Sequence, residues 1–266
     1  MLEELFGTLK PIIGVIHLLP LPGSPRWDGQ MEPILQRAEQ EAAALATGGV
    51  HGIIIENFFD APFTKSTVDT ATACALALVA RRVMDICDLP IGINVLRNDG
   101  QSALAIAVTV GASFIRVNVY TGAMLTDQGI IEGNAHELLL YRRHLSAAKS
   151  IKILADVLVK HAEPLSPTSN IKQIAKDTVL RGLADGVIVS GIATGAGPNI
   201  DDVRAVREAL PSTPLFIGSG TTKDNVNSLL AIADGVIVGS TLKRQGILEN
   251  PVDVERVRAL VNTSKN

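Results

Sequence analysis

The sequence predicts an α/β fold, a (β/α)8 or TIM barrel, on three observations. Eight short apolar runs alternate with eight stretches of helical spacing, and the runs are apolar on both faces, as buried parallel strands are. The segment Ala184-Asp185-Gly186-Val187-Ile188-Val189 recurs as Ala233-Asp234-Gly235-Val236-Ile237-Val238, a modest internal repeat that suits a quasi-symmetric array. Links from helix to strand are short (Gly48-Gly49, Asp88-Leu89-Pro90, Pro211-Ser212-Thr213), whereas links from strand to helix are long and polar. The rival is an open doubly wound sheet. It would carry GxGxxG after its first strand, and Gly14 to Gly23 contains none. No linker or low-complexity stretch breaks the chain, so residues 1–266 are expected to form a single domain.

Pro11 to His17 is the first strand, followed by a long Pro/Gly loop. Ile34, Leu35, Ala38, Ala42 and Leu45 then share one face of a helix from Met31 to Thr47, ended by Gly48-Gly49. Gly52 to Glu56 is the second strand, and the next helix covers Thr67 to Cys87. The third strand is Ile91 to Val95, its helix Gln101 to Thr109, and the fourth strand Phe114 to Val119. A long loop, YTGAMLTDQGIIEG, leads to a helix capped by Asn134 and ending near Lys149. Ile151 to Val157 is the fifth strand. The loop LVKHAEPLSPTSN leads to a helix from Ile171 to Arg181. Gly186 to Ser190 is the sixth strand, followed by a helix with Val203, Val206 and Leu210 facing inward. Leu215 to Ile217 is the seventh, with Val226, Leu229, Leu230 and Ala233 on its helix. Gly235 to Val238 is the eighth, and Pro251 opens a last helix with Val254, Val257 and Val261 on one face.

Hydrophobic residues make up 47% and charged residues 19%, enough for a large core and against disorder. Aromatic residues are 3% and the net charge is −3 without a dense basic run, which argues against a nucleic-acid partner. The longest uncharged apolar run, Ala71 to Ala80, is too short to span a bilayer, and the start MLEELFGTLK lacks a signal-peptide core. A cytoplasmic location is expected. Cys74 and Cys87 fall in one expected helix about 20 Å apart, too far for a disulfide, and neither has a CxxC partner.

The seventh and eighth strands end in Gly218-Ser219-Gly220 and Gly239-Ser240. Glycine lets backbone amides approach an anion, a helix N-terminus adds its positive dipole end, and barrels hold phosphate after their last two strands. These turns are therefore expected to cradle a phosphate-bearing or otherwise anionic small molecule. No other cofactor is implied. The remaining candidates stand at strand ends: His17, Glu56, Asn57, Asn94, Arg116, Asn118, Asp156 and Ser190, with Lys160 and His161 close behind the fifth strand. They read in two ways. One is a catalytic cluster, with Glu56 or Asp156 as acid or base and Lys160 or His17 as partner, and Asn94, Arg116 and Asn118 binding ligand. The other is a salt-bridged plug, Arg116 with Glu56 or Asp156, that ties strands together. Lys160 suits an anion contact, or a Schiff base if it reaches inward. No metal site is expected: His17 lacks a His-x-His partner, and His136 and His144 lack HExxH spacing. Trp27, Phe58, Phe59 and Phe63 crowd the first two loops, where they close over a ligand, meet a partner or simply pack.

Several of these stretches resemble the BtpA family. They are His17-Leu18-Leu19-Pro20-Leu21-Pro22-Gly23-Ser24-Pro25, Glu56-Asn57-Phe58-Phe59-Asp60-Ala61-Pro62-Phe63 and Gly92-Ile93-Asn94-Val95-Leu96-Arg97-Asn98-Asp99. Phe114 to Asn118, Ala155 to Ala162, Ile217 to Thr221 and Val238 to Ser240 complete the set, so the likeness runs over nearly the whole chain. The resemblance implies a TIM barrel that supports accumulation of photosystem I reaction-centre proteins. It also implies a peripheral position on the cytoplasmic side of the thylakoid membrane. The implied partners are photosystem I components or their assembly machinery; apart from the resemblance, a small anionic ligand and a homo-oligomer are expected. Family members in organisms without photosynthesis imply the alternative, an enzyme acting on a phosphorylated, sugar phosphate-like metabolite with an indirect effect on photosystem I.

Overall fold

Runs of Ile and Val between glycine, proline and aspartate breaks become strands because branched side chains suit a pleated, two-sided burial. A computed structural model describes residues 1–165, 170–191 and 193–265. A short helix, α1 (Leu2–Phe6), precedes β1 (Ile12–His17), α2 (Glu32–Gly48), β2 (Gly52–Glu56), α3 (Thr70–Met84), β3 (Ile91–Asn94), α4 (Gly100–Val110) and β4 (Phe114–Val117). A hairpin follows, β5 (Ala123–Thr126) with β6 (Gly129–Glu132), then α5 (Ala135–His144), β7 (Lys152–Val157) and β8 (Ala162–Pro164). The chain continues through α6 (Ile171–Lys176), β9 (Gly186–Val189), α7 (Ile200–Ala209), β10 (Leu215–Ile217), α8 (Val226–Leu230), β11 (Gly235–Val238) and α9 (Val254–Ser264).

Eight strands close in the order β1-β11-β10-β9-β7-β4-β3-β2, every neighbouring pair parallel. This is the expected TIM barrel. Alternate residues face opposite ways along a strand, so each strand feeds two cores. Ile12, Ile16, Ile53 and Ile55 pack outward with the helices. Ile13, Val15, Ile54, Phe114, Leu154, Ile188, Phe216 and Ile237 fill the interior with Phe6. The Phe6 ring stands edge-on to Phe114 at 5.6 Å and Phe216 at 6.3 Å, so α1 plugs the N-terminal end of the barrel.

Several expected boundaries shift, each for a local reason. The helix expected over Thr67–Cys87 is α3 alone: the Asp69 side chain caps it by accepting from the Ala71 amide, and Cys87 lies beyond its end. Asn134 occupies the N-cap position of α5, but its side chain makes no capping bond. That helix stops at His144, well before Lys149, and Ser146 then takes a positive φ of 57°. Strands three and four end at Asn94 and Val117, earlier than Val95 and Val119. The run Ile171–Arg181 is α-helical only to Lys176 and π-helical after it. Ala233 falls beyond α8. The last helix begins at Val254, capped by Asp253, rather than at Pro251. The loop after strand four contains the β5–β6 hairpin, which joins β8 in a three-stranded antiparallel sheet. Of the long loops, residues 166–169 and Ile192 lie outside the described residues. Among the described residues no helix is long and apolar enough to cross a membrane.

Candidate functional site

The inward positions one step above the apolar layer supply one residue at or just beyond the C-terminal end of each of the eight barrel strands. They are His17, Glu56, Asn94, Arg116, Asp156, Ser190, Gly218 and Gly239, each two residues beyond an inward apolar residue or glycine. Six carry polar side chains and two are glycines. Both glycines are required by their neighbours. A Cβ on Gly218 would lie 2.3 Å from Ser190 Oγ and 3.4 Å from Arg116 Nη2. A Cβ on Gly239 would lie 2.6 Å from His17 Cε1. The space these glycines leave is a cavity bordered by His17, Glu56, Arg116, Lys160 and the turns Gly218–Thr221 and Gly239–Thr241, with Thr194 and Gly195 across the mouth. At about 20 Å³ the cavity admits a water-sized group.

Charge divides the layer in two. On one side Arg116 forks onto Asp156, Nε to Oδ2 and Nη2 to Oδ1, both at 2.9 Å. Asn118 Nδ2 and Ser190 Oγ donate to the same carboxylate, each at 3.1 Å. Asn94 Nδ2 donates to Asn118 Oδ1 at 3.0 Å and to the Arg116 carbonyl at 3.1 Å. Asp156 therefore accepts four hydrogen bonds and is a tie between strands. Burial works against the Arg116 charge, but Asp156 outweighs it and holds the guanidinium above its ordinary value.

On the other side His17 Nε2 lies 3.3 Å from Glu56 Oε1, both side chains buried, at paired register positions of β1 and β2. Burial is the largest influence on Glu56 and pushes it up. The hydrogen bond from His17, with the charges of Lys160 and Arg116 nearby, outweighs burial and lowers it. Burial drives the His17 imidazole below its ordinary value against the pull of Glu56, and Lys243 and Lys160 push the same way. A neutral imidazole against a carboxylate keeps its proton on Nε2 and leaves Nδ1 an acceptor. Among the described residues that Nδ1 has no partner, nor has the Thr221 hydroxyl, nor Asn94 Oδ1.

Lys160 enters from the loop after β7. Burial, then Arg116, lower its ammonium against Glu56 and Asp156. Among the described residues no carboxylate lies within 4.0 Å of it. Its own carbonyl accepts from Arg97 Nη2 at 2.6 Å, and Arg97, 4% exposed, is a buried cation that the sequence reading missed. The next residue, His161, meets Thr194 through Nε2···Oγ1 at 3.0 Å and so joins the loops after β7 and β9. Thr221, Thr194 and Thr241 were also missed as lining residues; their signal was adjacency to the glycine turns.

The glycine turns line this cavity, but not in the form expected. No long helix starts from either turn: α8 begins only at Val226, and Gly239 leads into a single 3-10 turn. The Ser219 hydroxyl is occupied, accepting from the Gly191 amide at 2.9 Å and donating to the Ala196 carbonyl at 2.8 Å. Gly220 has a φ of 70°, and a Cβ there would lie 2.2 Å from Gly197 Cα, so its smallness serves loop packing. The amides of Ser219, Gly220 and Thr221 find no acceptor among the described residues, which leaves them available to a ligand. Phe58 stacks edge-on against His17 at 4.8 Å and on Phe59 at 5.4 Å, whereas Trp27 is partly exposed. Among the described residues no group of three His, Cys, Asp or Glu could hold a metal ion.

The BtpA family model matches residues 8–266. The chain is 57% identical over 260 residues to the photosystem I biogenesis protein BtpA of Synechocystis, covering 98% of this chain and 90% of that protein. It is 46% identical to an uncharacterized protein of Thermococcus kodakarensis, covering 96% and 95%. The crystal structure of KGPDC from Streptococcus mutans superposes with a TM-score of 0.60 at 11% identity, covering 97% of this chain and 98% of that one, a likeness of fold.

Proposed function

Since this chain belongs to the BtpA family, we propose that it supports accumulation of photosystem I with a small anion held in the cavity at the C-terminal mouth of its barrel. The 57% identity to a photosystem I biogenesis protein carries the first half. The second half rests on Lys160, half-buried at the cavity without a carboxylate partner among the described residues. Burying an unpaired charge is costly, and an anion in the cavity supplies the missing counter-charge. In this reading the protein works on the cytoplasmic side of the thylakoid surface, held there by photosystem I components or their assembly machinery. A second reading, an enzyme acting on a phosphorylated metabolite, draws on the ionised Glu56 and the buried His17 beside the same cavity.

Expression of this chain in a Synechocystis strain lacking its own BtpA tests the proposal. Photo-oxidisable P700 is expected to return to near the parental level. P700 remaining at the level of the deletion strain, with the chain accumulating in folded form, would overturn it.

A further inference from the structure

The cavity offers acceptors as well as donors. Lys160 and the amides of Ser219, Gly220 and Thr221 donate, and they suit a phosphate. The Glu56 carboxylate accepts, and the Thr221 hydroxyl takes either part. A fully ionised phosphate ester without a hydroxyl satisfies the donors only, and it offers the Glu56 carboxylate no hydrogen.

Resting on the anion-site reading above, we infer that the ligand is a phosphate monoester bearing at least one free hydroxyl. Its phosphate lies against Lys160 and the Gly218–Thr221 and Gly239–Thr241 turns, and its hydroxyl donates to Glu56. One molecule then answers both halves of the cavity: negative where the chain is positive, and hydrogen-donating where the chain has only lone pairs. The cavity volume of about 20 Å³ is smaller than such a molecule. Part of the ligand therefore lies outside that volume, in the mouth bordered by Lys160, Thr194 and Gly195.

Calorimetric titration and thermal shift on the full chain separate this inference from the reading beneath it. The probes are inorganic phosphate, methyl phosphate, sn-glycerol 3-phosphate and D-ribose 5-phosphate. The hydroxylated probes are expected to bind at least about ten-fold more tightly than methyl phosphate. In Glu56→Gln that preference is expected to shrink, with methyl phosphate itself binding more tightly because the repelling charge has gone. Methyl phosphate binding as tightly as both hydroxylated probes would overturn the hydroxyl inference and leave the anion site standing. Silence from all four probes at about 10 mM would overturn both.

Discussion

Replacing Arg116 with alanine is expected to destabilise the fold by about 3–5 kcal/mol, because it strands a buried carboxylate. Asp156 would keep Asn118 and Ser190 as donors but lose both bonds of the guanidinium fork. Against a total stability of about 5–15 kcal/mol the loss is large. It corresponds to a fall in Tm of about 6–20 °C for a chain of this size. Urea denaturation with an unchanged m-value is the measurement. The double variant Arg116→Met/Asp156→Leu is expected to recover much of the loss, because it removes both charges together. A loss below about 1 kcal/mol in Arg116→Ala would mean that the fork contributes no more than an exposed ion pair.

Lys160→Gln is expected to do the opposite. Its ammonium has no carboxylate partner among the described residues, so removing it relieves a desolvated charge. The Tm of the ligand-free protein should hold or rise. Affinity for phosphate should fall by about 10–100-fold, the worth of one hydrogen bond to a charged group. Stability and function would then move apart at Lys160, the usual sign of a residue kept for binding. A lower Tm together with undiminished phosphate affinity would assign Lys160 to the scaffold instead.

These two effects follow from a pattern that was partly visible in the sequence. The barrel was legible because buried parallel strands are near-continuous runs of Ile and Val, and His17, Glu56, Arg116 and Asp156 stood out as polar residues at strand ends, which the alternation of the folded strands turns inward. Pairing was not legible. Sequence left Arg116 open to Glu56 or Asp156, and the choice depends on strand neighbours: β4 pairs with β7, whereas β2 pairs with β1 and β3. Ser219 and Gly220 look like ligand residues in sequence, yet both are engaged by the 191–197 loop, a contact between distant turns that no local signal reveals.

The plug formed by α1 was missed because five residues show too little periodicity, and Phe6 finds Phe114 and Phe216 only once the barrel has closed. The β5–β6 hairpin did carry a signal. Asp127-Gln128 with Gly129 lies between Met124-Leu125 and Ile130-Ile131, and the Met124–Ile131 pair is buried while Leu125 and Ile130 face out.

Crystals soaked in tungstate, a heavy tetrahedral stand-in for phosphate, test the central claim most directly. The strongest anomalous peak should lie within the barrel mouth, between Lys160 and the turns Gly218–Thr221 and Gly239–Thr241. Peaks confined to the surface, with only water bonded to His17 and Thr221 inside, would contradict it.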